Sequence, residues 1–338
     1  MAYYSLSKRL LTETELMATL KQIAEEAGVS ISIVSRILSP NPEPSGRFSP
    51  DTQKRVEEAA RKLGYRPNRY AEFLKRGQVP AIGVFMPAYS NRLIADLVMG
   101  LAEGAAAAAF PLSLHFALTL DHYREFLRAN GNHCGIITYP GFHKDKETKK
   151  LIGKFQDGGG KVLLLNTDIQ LEGVPVVAMD NRHGGNLAAE RLRDHSCGEY
   201  LLMGSFPGRD EGFEETLRHY DIEEIRRLPE NEWENYLPRM VERATAERPL
   251  GIFAVNDLLA LRIMRFLHSQ KVAIGREVMV IGYDDLAATA ECYPPLTTIH
   301  QPFREEGKIA IEKMVNVIYG QEEDSVFLEP TLVVRKSG

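Results

Sequence analysis

A guanidinium, two hydroxyls and an apolar side chain share the run Ile31-Ser32-Ile33-Val34-Ser35-Arg36, directly after Gly28-Val29-Ser30. An Arg placed like Arg36 can bond guanine at both O6 and N7, worth ~1–3 kcal/mol of base discrimination. Ser32 can donate or accept, and Ile31 offers apolar contact to a thymine methyl. A second set of polar residues stands far from the first. Asn166, Asp180, Asn181, Ser205, Asn256 and Asp284 each follow closely on a short apolar run of the kind that forms buried parallel strands. Amides, hydroxyls and carboxylates there can exchange hydrogen bonds with a small polar ligand. Each can equally cap the helix that follows. Their shared location favours one common pocket.

The elements that would carry the first set show in the spacing. Apolar residues at Leu20, Ile23, Ala24 and Ala27, and again at Val34, Ile37 and Leu38, recur at helical intervals. Thr19 and Gln22 make a capping-box start. Gly28 can take the left-handed conformation that ends a helix, and Ser30 can cap the next by accepting a backbone N–H. Two short helices on a Gly-led turn are either a helix-turn-helix, whose second helix enters the DNA major groove, or an ordinary helical hairpin. Ser49-Pro50-Asp51 predicts a third helix, running through Val56 and Ala60 to Leu63 and stopped by Gly64. YRPNRYAEFLKRG follows, too polar to persist as an isolated helix.

From Ala81 the pattern alternates. AIGVFMP, FPLSLHFAL, GIITYP, KVLLLN, VPVVAMD, EYLLMGS, GIFAVN and EVMVIGYDD read as strands. Helical stretches separate them: NRLIADLVMGLAEGAAAAA, a charged segment over 145–158, GGNLAAERLRDH, GFEETLRHY and DLLALRIMRFLHSQ, with REEGKIAIEKMVNVIYG last. Repeated strand–helix units predict parallel sheets with helices on both faces, and so many units predict two lobes with a cleft between them. Open parallel sheets bind ligands at the carboxyl ends of their strands.

With 338 residues the chain is too long for one ordinary core, and 44% hydrophobic with 26% charged residues is normal for a soluble protein. No apolar run approaches the ~20 residues that span a bilayer, and the start MAYYSLSKRLLTETE lacks a secretory core. Cys134, Cys197 and Cys292 lie far apart and read as reduced thiols of a cytoplasmic protein. No activated nucleophile is evident and the nine histidines show no metal-type pairing, so no enzyme, metal or cofactor is expected. The net charge of −5 is unevenly spread. Residues 1–80 hold 13 Lys+Arg against 9 Asp+Glu; the remaining 258 hold 28 against 37. Basicity is concentrated where phosphate contacts would supply affinity.

The order TLKQIAEEAGVS…IVSRIL…SPDTQKRVEEAARKLGYRPN resembles the lactose-repressor (LacI/GalR) family of bacterial transcription regulators in spacing, caps and GY-x-PN connection. VPVVAMDN, R-x-x-GF at Arg209–Phe213, FAVNDLLAL, VMVIGYDD and PPLTTIHQPFREEGKIA are similar to the sugar-binding core of that family. The resemblance implies that Arg209, Asn256 and Asp284 reach the effector. It sets Trp233 where the family has a stacking aromatic and Asn91 where residues line the cleft; Asn166 and Ser205 join the set from their positions just past strand ends. Arg209 has the alternative of a structural ion pair, and Asp284 of a helix cap. Trp233 either stacks on the ligand or packs beside Tyr236 and Leu237. On the DNA side the resemblance implies contacts from Thr19, Ser30, Ile31, Ser32, Ser35, Arg36, Asn68 and Lys75. Leu74 would wedge into the minor groove, meet its counterpart in a dimer, or both. Ile33 stands where Thr is usual, Glu72 where a basic residue is frequent, and SPNPEPSGRF lengthens a loop. Asn91-Arg92-Leu93-Ile94 replaces aromatic residues common in the family.

The fold class implied is a small all-α helix-turn-helix head plus an α/β, periplasmic-binding-protein-like core of two parallel-sheet lobes. An extension (1–18), head (19–66) and hinge (67–78) would precede the core (79–338). Its first lobe takes about 79–178 and 302–323, its second about 179–301 and 324–338. TLVVRKSG brings no heptad tail, so a homodimer reading a two-fold symmetric operator is expected. The implied partners are double-stranded operator DNA and a small, carbohydrate-like effector, with no membrane. The protein would be a nucleoid-associated, ligand-gated repressor. The same core would also serve a solute-binding transport or sensing protein, against which the basic head argues.

Overall fold

A computed structural model describes residues 18–38, 48–65, 73, 77–87, 92–117, 119–139, 146–167, 169–230 and 233–338. The chain divides into two compact units, Met1–Pro80 and Ala81–Gly338.

Among the described residues of the first unit, three helices surround a small core: α1 (Leu20–Ala27), α2 (Ile31–Ile37) and α3 (Pro50–Lys62). The Thr19 hydroxyl accepts from the Gln22 amide at 3.3 Å, and Gln22 Oε1 accepts from the Thr19 amide at 2.7 Å, the expected capping box. Gly28 ends α1 at φ 65°, where a Cβ would be strained, and the amides of Gly28 and Val29 both return to the Ala24 carbonyl. Ser49 caps α3 by accepting from the Thr52 amide at 3.2 Å, with Pro50 at the first helical position. Ile23, Val34 and Val56, one from each helix, are fully buried, with Ala24, Ala27, Ala59 and Ala60 filling between them. Ser30 departs from expectation. It stands at the N-cap of α2 but makes no capping bond; its hydroxyl pairs with that of Ser32 at 2.9 Å. Both are exposed, so water can serve the free amides of the first turn.

The second unit is built on two parallel sheets. The first contains β1 (Val79–Pro87), β2 (Leu112–Ala117), β3 (His133–Thr138), β4 (Val162–Leu165) and β5 (Val176–Met179), with β11 (Val326–Leu328) returning late in the chain. Its order is β11-β5-β4-β3-β1-β2. The helices in its sequence are α4 (Arg92–Ala108), α5 (Leu120–Ala129), α6 (Lys146–Asp157) and α12 (Phe303–Ile318). Helices α4 and α12 approach closely because Gly100 and Gly307 lack side chains. A Cβ on Gly100 would meet the Arg304 carbonyl oxygen at 2.0 Å, and one on Gly307 would meet the Leu101 amide at 2.5 Å.

The second sheet holds β6 (Glu199–Met203), β7 (Ile225–Leu228), β8 (Leu250–Ala254) and β9 (Val278–Ile281), in the order β7-β6-β8-β9. With it go α7 (Asn181–Asp194), α8 (Arg209–His219), α9 (Trp233–Val241), α10 (Asp257–Ser269) and α11 (Ala288–Glu291). A short antiparallel pair joins β10 (Thr298–His300) to β12 (Thr331–Val333). Strands β4, β5, β8 and β9 are buried at every residue, which is why they read as unbroken apolar runs.

The chain passes between the sheet regions three times: from β5 to α7, from β10 to α12, and from β11 to β12. The Asp180 amide donates to the Leu328 carbonyl at 2.8 Å, joining the first passage to the third. The third passage lies later than the sequence suggested. The sequence pattern puts residues from 324 in the second lobe, whereas Val326–Leu328 pair in parallel with Val177–Met179, filling the open edge of β5. Asn68, Leu74 and Lys75 of the expected hinge, and Asn91, lie outside the described residues. No helix among the described residues is long and apolar enough to cross a membrane.

Candidate functional site

Helix α2 turns Val34 inward and leaves Ile31, Ser32, Ser35 and Arg36 exposed, with Ile33 and Ile37 half-buried at the margins. Positions 31, 32, 35 and 36 share one face at the helical repeat. Ile31 is 48% exposed, an outlay of apolar surface that the head's own core does not use. The face therefore presents a guanidinium, two hydroxyls and an aliphatic side chain together. Thr19 is also exposed, but its hydroxyl is engaged in the cap of α1.

In the second unit, Arg209 and Asp284 come together. Arg209, the first residue of α8, is buried; its Nε donates to Asn181 Oδ1 at 2.9 Å and its Nη1 to the Val255 carbonyl at 2.5 Å. Its guanidinium lies between two aromatic faces, 4.0 Å from the Phe206 ring centroid and 3.6 Å from that of Tyr283. Nη1 stands 3.6 Å from Asp284 Oδ1. That oxygen also accepts from Gln301 Nε2 at 2.8 Å. Burial pushes the Asp284 carboxyl up to about 7, against the opposing pull of Arg209.

The turn that presents Asp284 is strained and held from beneath. Asp284 and Asp285 adopt φ of 120° and 53°, conformations that L side chains rarely take. Asp257, fully buried at the start of α10, accepts from the Leu286 amide at 2.8 Å and the Thr298 hydroxyl at 2.6 Å. Its own amide donates to the Tyr283 carbonyl at 2.7 Å. Asp285 accepts from Arg335 Nη2 at 2.6 Å. Asp284 caps no helix, since α11 begins after Ala287 without a side-chain cap.

The other residues singled out in the sequence fall in different places. Asn256 caps α10, its Oδ1 accepting from the Leu259 amide at 2.8 Å, one residue beyond the Val255 carbonyl that holds Arg209. Asn166, at φ 44°, accepts from the Met179 amide at 3.3 Å through Oδ1. Ser205 is exposed and donates to Asp210 Oδ2 at 2.7 Å. Trp233 is corrected to a core position. It is 2% exposed in the cluster under the second sheet, edge-on to Phe266 at 5.7 Å, because its large apolar face finds more contact there than at a strand end. Sequence reasoning noticed Asn181 but did not select it, and passed over Tyr283, Gln301, Phe206 and Asp257. Tyr283 and Gln301 sit inside the quoted VMVIGYDD and TTIHQP, so the signal was at hand.

Two protein families match the chain. Residues 19–68 match the bacterial regulatory proteins of the lacI family, and residues 205–338 a periplasmic binding protein-like domain. The transcriptional repressor PurR of Vibrio vulnificus is 29% identical over 94% of this chain and 98% of its own length. The ribose operon repressor of Halalkalibacterium halodurans is 26% identical over 95% of this chain and 97% of its own length. Among solved structures, the complex of the regulator CelR with cellobiose superposes with a TM-score of 0.66 at 23% identity, covering 95% of this chain and all 100% of that one. A lac repressor dimer bound to operator and an anti-inducer gives 0.64 at 22% identity, covering 95% and 99%. The chain thus carries a DNA-binding domain of the lacI family followed by a periplasmic binding protein-like domain, and it is similar along nearly its full length to bacterial transcription regulators of the LacI type.

Proposed function

We propose that the protein is a homodimeric, ligand-gated repressor rather than a catalyst. The α2 face reads operator half-sites, and a small polar effector, a sugar or sugar derivative, binds at the Arg209–Asp284 cluster. The observation that carries this reading is the exposed Ile31, Ser32, Ser35 and Arg36 face on a helix whose opposite side is packed into its own core. The cluster supports the second half: an Arg fork, amides and a carboxyl held on a strained turn are the groups that hydrogen-bond to hydroxyls. Relatives named as ribose and sucrose operon repressors, and a similar regulator solved in complex with cellobiose, favour a carbohydrate. For control to exist, the effector must prefer one arrangement of the core and DNA the other.

Full-length protein mixed with fragments of its neighbouring promoters tests this by gel retardation at physiological salt. A retarded band that changes with ribose, sucrose or cellobiose is the expected result. No retarded band with any promoter fragment would overturn the reading, and would favour a solute-binding receptor.

A further inference from the structure

Glu306 lies in the first turn of α12, is 0% exposed, and neither carboxyl oxygen has a hydrogen-bond partner among the described residues. The buried side of that helix is otherwise Phe303, Gly307, Ala310, Ile311, Met314, Val317 and Ile318. An acid in that stripe is out of place on packing grounds. An acid near a helix start gains from the helix dipole, yet this one accepts no backbone amide, and no basic side chain among the described residues pairs with it. Burial pushes it up to about 8, which leaves a neutral carboxylic acid at pH 7, able both to donate and to accept.

The Asn166 amide comes close enough to favour the ionised form of Glu306, but no hydrogen bond of acceptable geometry joins them. Asn166 Oδ1 is held by the Met179 amide, while its Nδ2 is buried with no partner among the described residues. Two adjacent side chains thus keep unmet polar atoms in the interior, each at a cost in stability. Both border the passages that carry the cluster. Met179 is followed by Asp180 and Asn181, and Asn181 holds Arg209; Gln301, five residues before Glu306, holds Asp284.

We infer that Glu306 joins Asn166, already expected in the effector set, to form a ligand-reading pair on the first-sheet side of the effector site, the ligand placing a hydroxyl or amine donor on the Glu306 carboxyl and an acceptor on Asn166 Nδ2. The inference rests on assigning the effector to the Arg209–Asp284 cluster. Adjacent donor and acceptor atoms are what vicinal hydroxyls supply, and an amino sugar supplies the same pattern with N–H in place of O–H. A ligand with an apolar edge there is rejected, because it leaves both groups unsatisfied.

Three full-length proteins test it: wild type, Glu306→Leu and Asp284→Asn. Without ligand, Glu306→Leu should melt higher than wild type, since it removes an unpaired buried acid from an apolar stripe. A melting temperature several degrees lower would mean the carboxyl serves the fold, and overturns the inference. With ligand, calorimetric titrations use glucose, ribose, cellobiose and glucosamine as probes. A probe bound by wild type should bind Glu306→Leu at least tenfold more weakly. Equal affinity in Glu306→Leu overturns the inference while weakened binding to Asp284→Asn leaves the cluster assignment standing. Undiminished binding to Asp284→Asn overturns that assignment itself. Glucosamine binding tighter than glucose supports an amine donor, the reverse a hydroxyl. If none of the four binds, the ligand-free melting comparison alone decides.

Discussion

Arg209 Nη1 sits 3.6 Å from Asp284 Oδ1, across two elements 75 residues apart in sequence, while the same nitrogen donates to the Val255 carbonyl. At 3.6 Å the charges attract without a short hydrogen bond, so a ligand oxygen can compete for both. Replacing Asp284 by Ala is expected to abolish the response of operator binding to ligand, while DNA retardation without ligand persists. Retardation assays with and without an effective sugar check this. Loss of retardation by a folded Asp284→Ala protein would move the sensing role elsewhere.

Arg36 should act at one base position. Arg36→Ala is expected to cost ~1–3 kcal/mol at the preferred base of each half-site and to flatten preference there alone. Binding titrations over a panel of half-site substitutions measure it. A uniform loss across all sequences would assign Arg36 to phosphate.

Trp233 should matter for stability and little for ligand. Trp233→Ala removes a nearly fully buried ring from the second-sheet cluster and is expected to destabilise by ~3–5 kcal/mol. Trp233→Phe should retain ligand response. Denaturant unfolding of the variants, with sugar titration of Trp233→Phe, separates the two roles.

Gly28 holds the turn of the DNA reader. At φ 65° a side chain is strained by roughly 1–2 kcal/mol, so Gly28→Ala should weaken operator binding and lower protection of α1 and α2 amides. Amide exchange reports it, with the second sheet as an internal control that should stay unchanged.

Stability should depend on pH with a definite sign. Glu306 is raised from 4.5 to about 8 and Asp284 from 3.8 to about 7, so the folded protein holds protons that the unfolded chain releases. Their contribution is complete below about pH 4 and is lost as pH rises towards 8. Glu306→Gln should therefore flatten the decline in melting temperature between pH 5 and pH 8 relative to wild type. An unchanged slope would mean Glu306 is ionised in the folded state.

Much of this was legible in the sequence because it was written in local chemistry. Thr19, Gly28 and Ser49-Pro50 fix helix ends by backbone bonds within a few residues, and the structure has those ends. Strands β4, β5, β8 and β9 announce themselves as apolar runs because both their faces are covered. Strand β7, IRRL, has only half-buried ends and two exposed arginines, so no pattern marked it. Helix α5 lies between two clear strands and buries only Tyr123 and Phe126, so its apolar stripe is faint in the sequence although Thr119 caps it. The site was readable only in part. Asp284 and Arg209 stand in recognisable motifs, and Tyr283, Gln301 and Asp257 stand in the same or neighbouring ones, but that these side chains meet is set by long-range contacts that no spacing records. Trp233 misled because a lone aromatic looks the same in sequence whether it faces a ligand or fills a core.

The three passages between the sheet regions limit how the core can move. Each begins at the end of a strand or a bridge pair, and the Asp180–Leu328 bond ties two of them side by side. Three cords fastened at both ends let a book open and shut along its spine, but they resist wringing it, since torsion would lengthen at least one of them. A substitution that stiffens any one cord should accordingly damp the opening and shutting of the two sheet regions against each other.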